Sequence, residues 1–370
     1  MMGVISVKSS KLLFPIVCVC GLLLLLSCGR ENEDALVPVS FAEPMAAAAD
    51  CIESIRLIPL ETNGRFVSWQ ADVVCGTDRY YVVDKNSSHI YRYAADGAYL
   101  GTVGDKGNGP GEYPNIYNVQ LAGDRVLVFS APDVTVSTFD ADGHFLQKDR
   151  IDLAGGQFAE VDEGFLSFHG YGTPASCKAS LWKDGKVTDF CPYKSSVIAF
   201  EDANPVFTEN DGAVYIREQL DRTVYRYSKG RVEPWLSFDF GAYRIDDRFY
   251  ELDYMASAEY LMGEDYAMLT RYHEANGRRL AEWTRPQVRQ SGYGLFLNGS
   301  WVWFVAGEEE KDPFAAAIKC LDGSDLVCLV DPSLVGKIDS RLLDKMENPE
   351  VLQNIKDTDN HIIVRMHLKE

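Results

Sequence analysis

Two stretches, "IYRYAADGAYL" (Ile90–Leu100) and "VSTFDADGHFL" (Val136–Leu146), align without a gap at an offset of 46 residues. The runs ahead of them, "DRYYVVD" (Asp78–Asp84) and "DRVLVFS" (Asp124–Ser130), align at the same offset. Each unit reads as a β-rich run, a short break, a second β-rich run, a turn dipeptide and a further run. The dipeptide recurs. Asp96-Gly97, Asp142-Gly143, Asp184-Gly185, Lys229-Gly230, Asn276-Gly277 and Asp322-Gly323 place their glycines 46, 42, 45, 47 and 46 residues apart. Asp-Gly and Asn-Gly between β-rich runs mark hairpins, because type I′ turns need positive φ at both central positions. A period of roughly 40–50 residues with four short strands per unit is the pattern of a β-propeller. The chain is therefore expected to be all-β: a six-bladed β-propeller of four-stranded antiparallel blades, each marked turn joining the last two strands of its blade.

Ring closure requires the chain ends to meet. "CIESIRLIPLE" (Cys51–Glu61) and "NHIIVRMHLK" (Asn360–Lys369) lie outside the six units and are expected to pair in one terminal blade. "DDRFYELDYMASAEYLMG" (Asp246–Gly263) reads as partly helical. "DPSLVGKIDSRLLDKMENPEVLQNI" (Asp331–Ile355) has helical spacing at Leu334, Ile338, Leu342 and Leu343, which predicts a short helical insertion before the C-terminal strand.

Composition agrees with a β-rich globular chain. Of 370 residues, 46% are hydrophobic and 12% aromatic, and aromatic side chains favour pleated, half-buried surfaces. The net charge of −19, with no clustered Lys or Arg, argues against a nucleic-acid partner, whose phosphates need concentrated positive charge.

The first 27 residues read as a processing signal. Lys8 and Lys11 precede an apolar run from Leu12 to Leu26, the arrangement of a signal peptide. The run ends in "LLSC" (Leu25–Cys28), which resembles the lipobox of bacterial lipoproteins. That resemblance implies cleavage before Cys28, acylation of its thiol and a membrane partner held through the lipid anchor. Cleavage removes two lysines and no acid, taking the charge from −19 to −21. "ENED" (Glu31–Asp34) resembles the acidic export tag of surface lipoproteins. The domain reading is thus signal peptide 1–27, lipidated Cys28 and flexible linker 28–50, and propeller 51–370. The expected location is the outer membrane, at the cell surface or its periplasmic face.

"GDKGNGPGEYPNI" (Gly104–Ile116) is glycine-rich enough to suggest a phosphate cradle. A P-loop would end in Gly-Lys-Ser/Thr and open a helix. Here Gly111 is followed by Glu112 and Tyr113, and a carboxylate repels phosphate. Gly107, Gly109, Pro110, Gly111, Glu112 and Tyr113 read instead as a structural crossing between blades, where glycine permits close backbone approach and proline stiffens the bend. The stretch resembles the G-x-G-P-G-E-Y/F junction of six-bladed β-propeller lipoproteins of Bacteroidota. "SIRLIPLET", "LSFDFGAYRI" (Leu236–Ile245) and "IIVRMHLK" agree with it, so the resemblance covers about residues 51–369. It implies an NHL- or TolB-like propeller and carries no general activity. In this chain the Asn-Pro expected just ahead of the last strand stands earlier, at Asn348-Pro349, and His361 takes its place.

The search for chemistry is mostly negative. No G-x-S-x-G or H-E-x-x-H occurs. "HEANG" (His273–Gly277) lacks the second histidine, and Ser180 and Lys183 of "SLWK" would face opposite sides of a strand. No catalytic residue or metal site is assigned and no cofactor is expected. One enzymatic form survives as the alternative: a metal-dependent propeller hydrolase or lyase, with calcium held at the axis by Asp84, Asp133 and Glu209. The favoured reading is a monomeric, non-enzymatic module binding a small molecule, glycan or protein. Trp301 and Trp303 could stack on a sugar or pack between blades.

Besides Cys28, the mature chain has six cysteines, and an even count in an oxidising compartment favours disulfides. Cys177 and Cys191 bracket Asp184-Gly185, and Cys320 and Cys328 bracket Asp322-Gly323. A two-residue turn at 184–185 puts Cys177 opposite Pro192, so a Cys177–Cys191 bridge needs a three-residue loop or a bulge. That pair is expected ahead of Cys320–Cys328, whose loop is shorter.

Overall fold

The computed structural model describes residues 36–41, 48–130, 134–151, 155–170, 176–193, 207–210, 212–305, 317–335 and 340–370. Cys28 and Asp133 lie outside these residues. The chain forms the six predicted blades, each of four antiparallel strands. From the axis outward, blade 1 is Asp72–Cys75, Arg79–Asp84, His89–Ala94 and Tyr99–Thr102. Blade 2 is Asn118–Ala122, Arg125–Ser130, Thr135–Asp140 and Phe145–Arg150. Blade 3 is Gln157–Val161, Gly164–Phe168, Cys177–Lys183 and Lys186–Pro192. Blade 4 is Phe207–Asn210, Ala213–Ile216, Thr223–Ser228 and Arg231–Asp239. Blade 5 is Met268–Ala275, Arg278–Arg285, Gln290–Leu297 and Ser300–Val305. Blade 6 is Ile318–Asp322, Asp325–Val330, Ile362–Leu368 and, from the other end of the chain, Ile52–Pro59.

The near-continuous apolar runs of the second strands follow from this stacking. A blade inside the ring is covered on both faces, so alternate side chains both need apolar neighbours. In blade 2, Val126 and Val128 pack with Tyr81, Val83 and Ile90 of blade 1. Leu127 and Phe129, one position over, pack with Phe158 of blade 3. The same rule gives an apolar layer at each of the six blade interfaces, with a seventh cluster (Leu220, Ile245, Phe249, Tyr266, Met268) under the 240–267 connection. The innermost strands touch in turn around the axis, and Ile318–Asp322 returns to Asp72–Cys75.

Closure occurs where it is expected. Ile52–Pro59 pairs antiparallel with Ile362–Leu368, from Ile52↔Leu368 to Pro59↔Ile362. Two asparagines reinforce the seam. The Asn348 amide donates to the Leu57 carbonyl and its oxygen accepts from the Leu57 N–H. Buried Asn360 accepts from Val67 N–H and donates to the Arg65 carbonyl and the Tyr93 hydroxyl. The insertion before the last strand consists of short helical turns at Pro332–Val335, Ser340–Leu343 and Pro349–Gln353. The 246–263 segment is helical over Asp247–Glu251 and Tyr254–Gly263.

Three expectations are corrected. Gly97, Gly143, Gly185 and Gly230 lie between the third and fourth strands of their blades, but Gly277 and Gly323 lie between the first and second. The even spacing survives because the 240–267 connection adds length just where the marked position moves inward by two strands. All six turns still sit at one end of the ring, since both kinds of hairpin reverse there. Second, the 28–50 segment is not all linker. Leu36–Pro38 pairs in parallel with Ser237–Asp239 as a fifth strand on blade 4, and Phe41 packs edge-on against Trp283 at 4.7 Å. Third, the Cys177–Cys191 bridge does not form. Cys177 is a free thiol, its pairing partner across the hairpin is Pro192, and its sulfur lies 3.4 Å from the Ser180 hydroxyl. Cys320 and Cys328 are free as well.

Candidate functional site

The six innermost strands enclose an axial channel of about 560 Å³. It runs from Lys85, where the long connections lie, to Asn276 and Gly323 at the turn end. Its wall alternates apolar groups such as Val119, Leu121 and Phe207 with the amides of Asn118, Gln120, Gln157 and Asn210. Along Asn118–Ala122, alternation turns Val119 and Leu121 towards the blade 1 layer and Asn118 and Gln120 towards blade 3, and the channel is bordered by both rows.

Two of the amides also stitch the wall together. Asn118 donates to the Phe158 carbonyl and accepts from the Phe158 N–H, at 2.7 and 3.0 Å. Gln120 does the same with Glu160, at 2.9 and 2.6 Å. These side chains extend the backbone ladder sideways from blade 2 to blade 3.

Glu209 stands on the innermost strand of blade 4 and lines the channel. Its side chain is solvent-exposed within the channel, and the surrounding inner strands still desolvate it in part. That desolvation pushes its pKa up to about 7, against an opposing hydrogen bond with Gln120 and with help from the Glu160 charge. Burial similarly holds Lys319 below the usual lysine range, with Asp72 opposing. His273 is held at about 3 by burial and by the Arg271 and Arg217 charges, so its ring is neutral at physiological pH.

The axial triad does not assemble. Asp84 is buried, and its carboxylate accepts from Ser68 N–H and hydroxyl and from the Asn86 and Ser87 N–H groups. It organises the loop after its strand and is turned away from the axis. Asp133 lies outside the described residues, and among those residues no group of three or more His, Cys, Asp or Glu side chains converges to hold a metal. Trp301 and Trp303 stack on each other at 5.2 Å and pack edge-on against Phe238. They fill the interface of blades 4 and 5.

The Gly104–Ile116 segment crosses from blade 1 to blade 2. Glu112 turns its carboxylate back onto the Gly109 N–H at 2.8 Å. A Cβ on Gly107 would come within 2.1 Å of that carboxylate. The buried Tyr113 hydroxyl donates to the Val103 carbonyl at 2.9 Å. The loop's own acid thus takes the Gly109 N–H, and the Asp105 and Gly107 N–H groups bond backbone carbonyls, so these donors are not left for a phosphate.

A second polar centre went unseen in the sequence. Lys178, on the third strand of blade 3, places its ammonium 2.7 Å from the Glu218 carboxylate and bonds Asp221, both on the connection following the second strand of blade 4. The Tyr193 hydroxyl donates to Glu218 at 3.2 Å and the Tyr225 hydroxyl to Asp221 at 3.1 Å. Burial pushes Glu218 up to about 7 despite Lys178. Burial also opposes ionisation of Asp221, but Lys178 and the Thr223 N–H outweigh it and hold that carboxyl below its usual range. "ASCKAS" and "IREQLD" carry no local mark of this contact, which depends on how neighbouring blades dock.

Among solved structures, a Bacteroides fragilis NCTC 9343 protein, provisionally named an exported protein, superposes with a TM-score of 0.72 at 15% identity, over 91% of this chain and 99% of that one. A Bacteroides vulgatus ATCC 8482 protein of the DUF4221 family superposes at 0.53 and 10% identity, over 86% and 97%. Both show the fold alone. Virginiamycin B lyase from Staphylococcus aureus reaches 0.44 at 9% identity, over 85% and 100%, too distant to speak to activity. No curated protein matches the sequence. Residues 41–367 match the family described as a domain of unknown function, DUF4934, and the chain belongs to that family.

Proposed function

We propose that this chain is an exported, lipid-anchored binding module whose axial channel takes an uncharged, hydrogen-bonding ligand, with carbohydrate the class that fits best. The observation that carries the reading is Glu209 in the amide-rich channel. A carboxyl with a pKa of about 7 is partly protonated at neutral pH, so it donates as well as accepts hydrogen bonds. Sugar hydroxyls do the same, and a neutral ligand avoids the cost of bringing charge into an enclosed site. Two aromatic rings at the long-connection end support the reading. Phe66 and Trp69 are 62% and 72% exposed, and their faces are available to stack on a ring. The metal-dependent alternative loses Asp84 to its own loop and has no observation of its own in favour.

Anchoring rests on the sequence: Lys8, Lys11, the apolar run and Cys28. No described helix is long and apolar enough to cross a membrane. Cys28→Ser should release the protein from the membrane fraction or leave it unprocessed, and unchanged partitioning with normal processing would remove the lipoprotein reading.

Binding is tested by a glycan array on the soluble domain, followed by calorimetry on the hits. Glu209→Lys should weaken binding at least tenfold and Trp69→Ala measurably. Hits that bind both variants with unchanged affinity would place recognition outside the channel and overturn the proposal.

A further inference from the structure

Cys75 ends the innermost strand of blade 1, and Cys320 sits on the innermost strand of blade 6. Their sulfurs are 3.8 Å apart although 245 residues separate them. Both are free thiols, both line the channel, and both pack against the apolar layer of the closing seam. We propose that Cys75 and Cys320 form a reversible disulfide that closes the propeller covalently.

The consequence follows from topology. The polypeptide between the two residues runs through the innermost strands of blades 2 to 5 and starts and ends on those of blades 1 and 6. A sulfur–sulfur bond makes that path an unbroken covalent circle around the axis. Without it, closure rests on the hydrogen bonds and packing of blade 6, whose outer strand comes from the opposite end of the chain. The bridge would also fix the spacing of two inner strands, and hence one side of the channel wall. This inference does not depend on what the channel binds.

The step is a thiol–disulfide exchange with a small disulfide such as oxidised glutathione. The Cys320 thiolate attacks the reagent, forming a mixed disulfide and expelling one glutathione thiolate. The Cys75 thiolate then attacks the Cys320 sulfur and expels the second glutathione. Two protein protons are released to the two departing thiolates, and the protein loses two electrons to the reagent. The hydrogen bond to Cys320 and burial hold the Cys75 thiol well above its usual range. The 3.8 Å proximity of the two sulfurs favours the second step. The exchange balances equally with the two residues reversed. The remaining separation must close to about 2.05 Å, which requires side-chain rotation and a small approach of the two strands.

The test incubates the full protein with oxidised glutathione, blocks free thiols with N-ethylmaleimide and maps peptides without reduction. A Cys75 peptide joined to a Cys320 peptide, and separated by dithiothreitol, is the expected result. The oxidised protein should melt about 5 °C or more above the reduced one, since the bridge closes a very long loop. Cys320→Ser, checked for folding by circular dichroism, should abolish that shift. Separate N-ethylmaleimide or glutathione adducts on both cysteines with no joined peptide would overturn the proposal. So would a melting shift that survives in folded Cys320→Ser.

Discussion

At one end of the ring the chain reverses in tight turns: Asp184-Gly185, Lys229-Gly230, Asn276-Gly277 and Asn298-Gly299 each place both residues at positive φ. At the other end, residues 60–71, 103–117 and 240–267 join successive blades, and the helical insertion ahead of Ile362–Leu368 lies within blade 6. The first end is set by backbone geometry, which admits few residue types. It therefore repeats, and its repetition is what makes the fold readable. The second end has no such constraint. It holds the Glu112 junction, the Asp84 loop, the Lys178 centre, the exposed Phe66 and Trp69 and the helical connections, none of which recurs from blade to blade. Function in this chain is expected where periodicity stops and in the channel that joins the two ends.

Even the repetitive end is not uniform. A Cβ on Gly97 would lie 2.1 Å from the Pro59 carbonyl oxygen of blade 6, and φ there is +91°. Gly97→Ala must therefore push the first blade from the closing seam, with an expected loss of about 3 kcal/mol or more, read by chemical denaturation. A loss under about 1 kcal/mol would show that the turn is not wedged against the seam.

The long-connection end should instead respond to pH. Glu218 has a folded pKa of about 7 against about 4.3 in an unfolded chain. The folded state binds the proton more tightly. The stabilisation is complete below the unfolded value and is lost as pH rises through about 7. The stability of Glu218→Gln relative to wild type should therefore rise by about 2–3 kcal/mol between pH 4 and pH 8. Parallel denaturation profiles for the two proteins would contradict a buried, proton-holding Glu218.

The smallest effect is expected back at the turn end. Gly230 has φ +75° with nothing within 4 Å of its Cβ position. Gly230→Ala incurs only the left-handed backbone penalty, about 1 kcal/mol. A cost equal to that of Gly97→Ala would erase the distinction between a turn packed on its neighbour and one facing solvent.

The fold was legible because both-face burial and turn chemistry leave local marks, as in "DRVLVFS" and Asp142-Gly143. What escaped was whatever is made between blades. Gly277 and Gly323 looked equivalent to Gly97 because spacing alone does not tell which hairpin of a blade a turn closes. Leu36–Pro38 is only three residues long, too short for alternation to show. Asp84 and Glu209 looked alike as carboxylates near strand ends, and only the packed ring separates the one bound by its own loop from the one in the channel. Cys320 was paired by proximity in sequence with Cys328, whereas its neighbour in space is across the seam.

Although exposed in the channel, Glu209 is crowded by protein groups that raise its pKa to about 7 and keep it partly protonated at neutral pH. This raised pKa is tested most directly by NMR titration of protein labelled with ¹³C at the glutamate side-chain carboxyl, using Glu209→Gln to assign the signal. A midpoint near pH 7 is expected for that one resonance. A midpoint near 4.3, the value of a freely solvated glutamate, would contradict it.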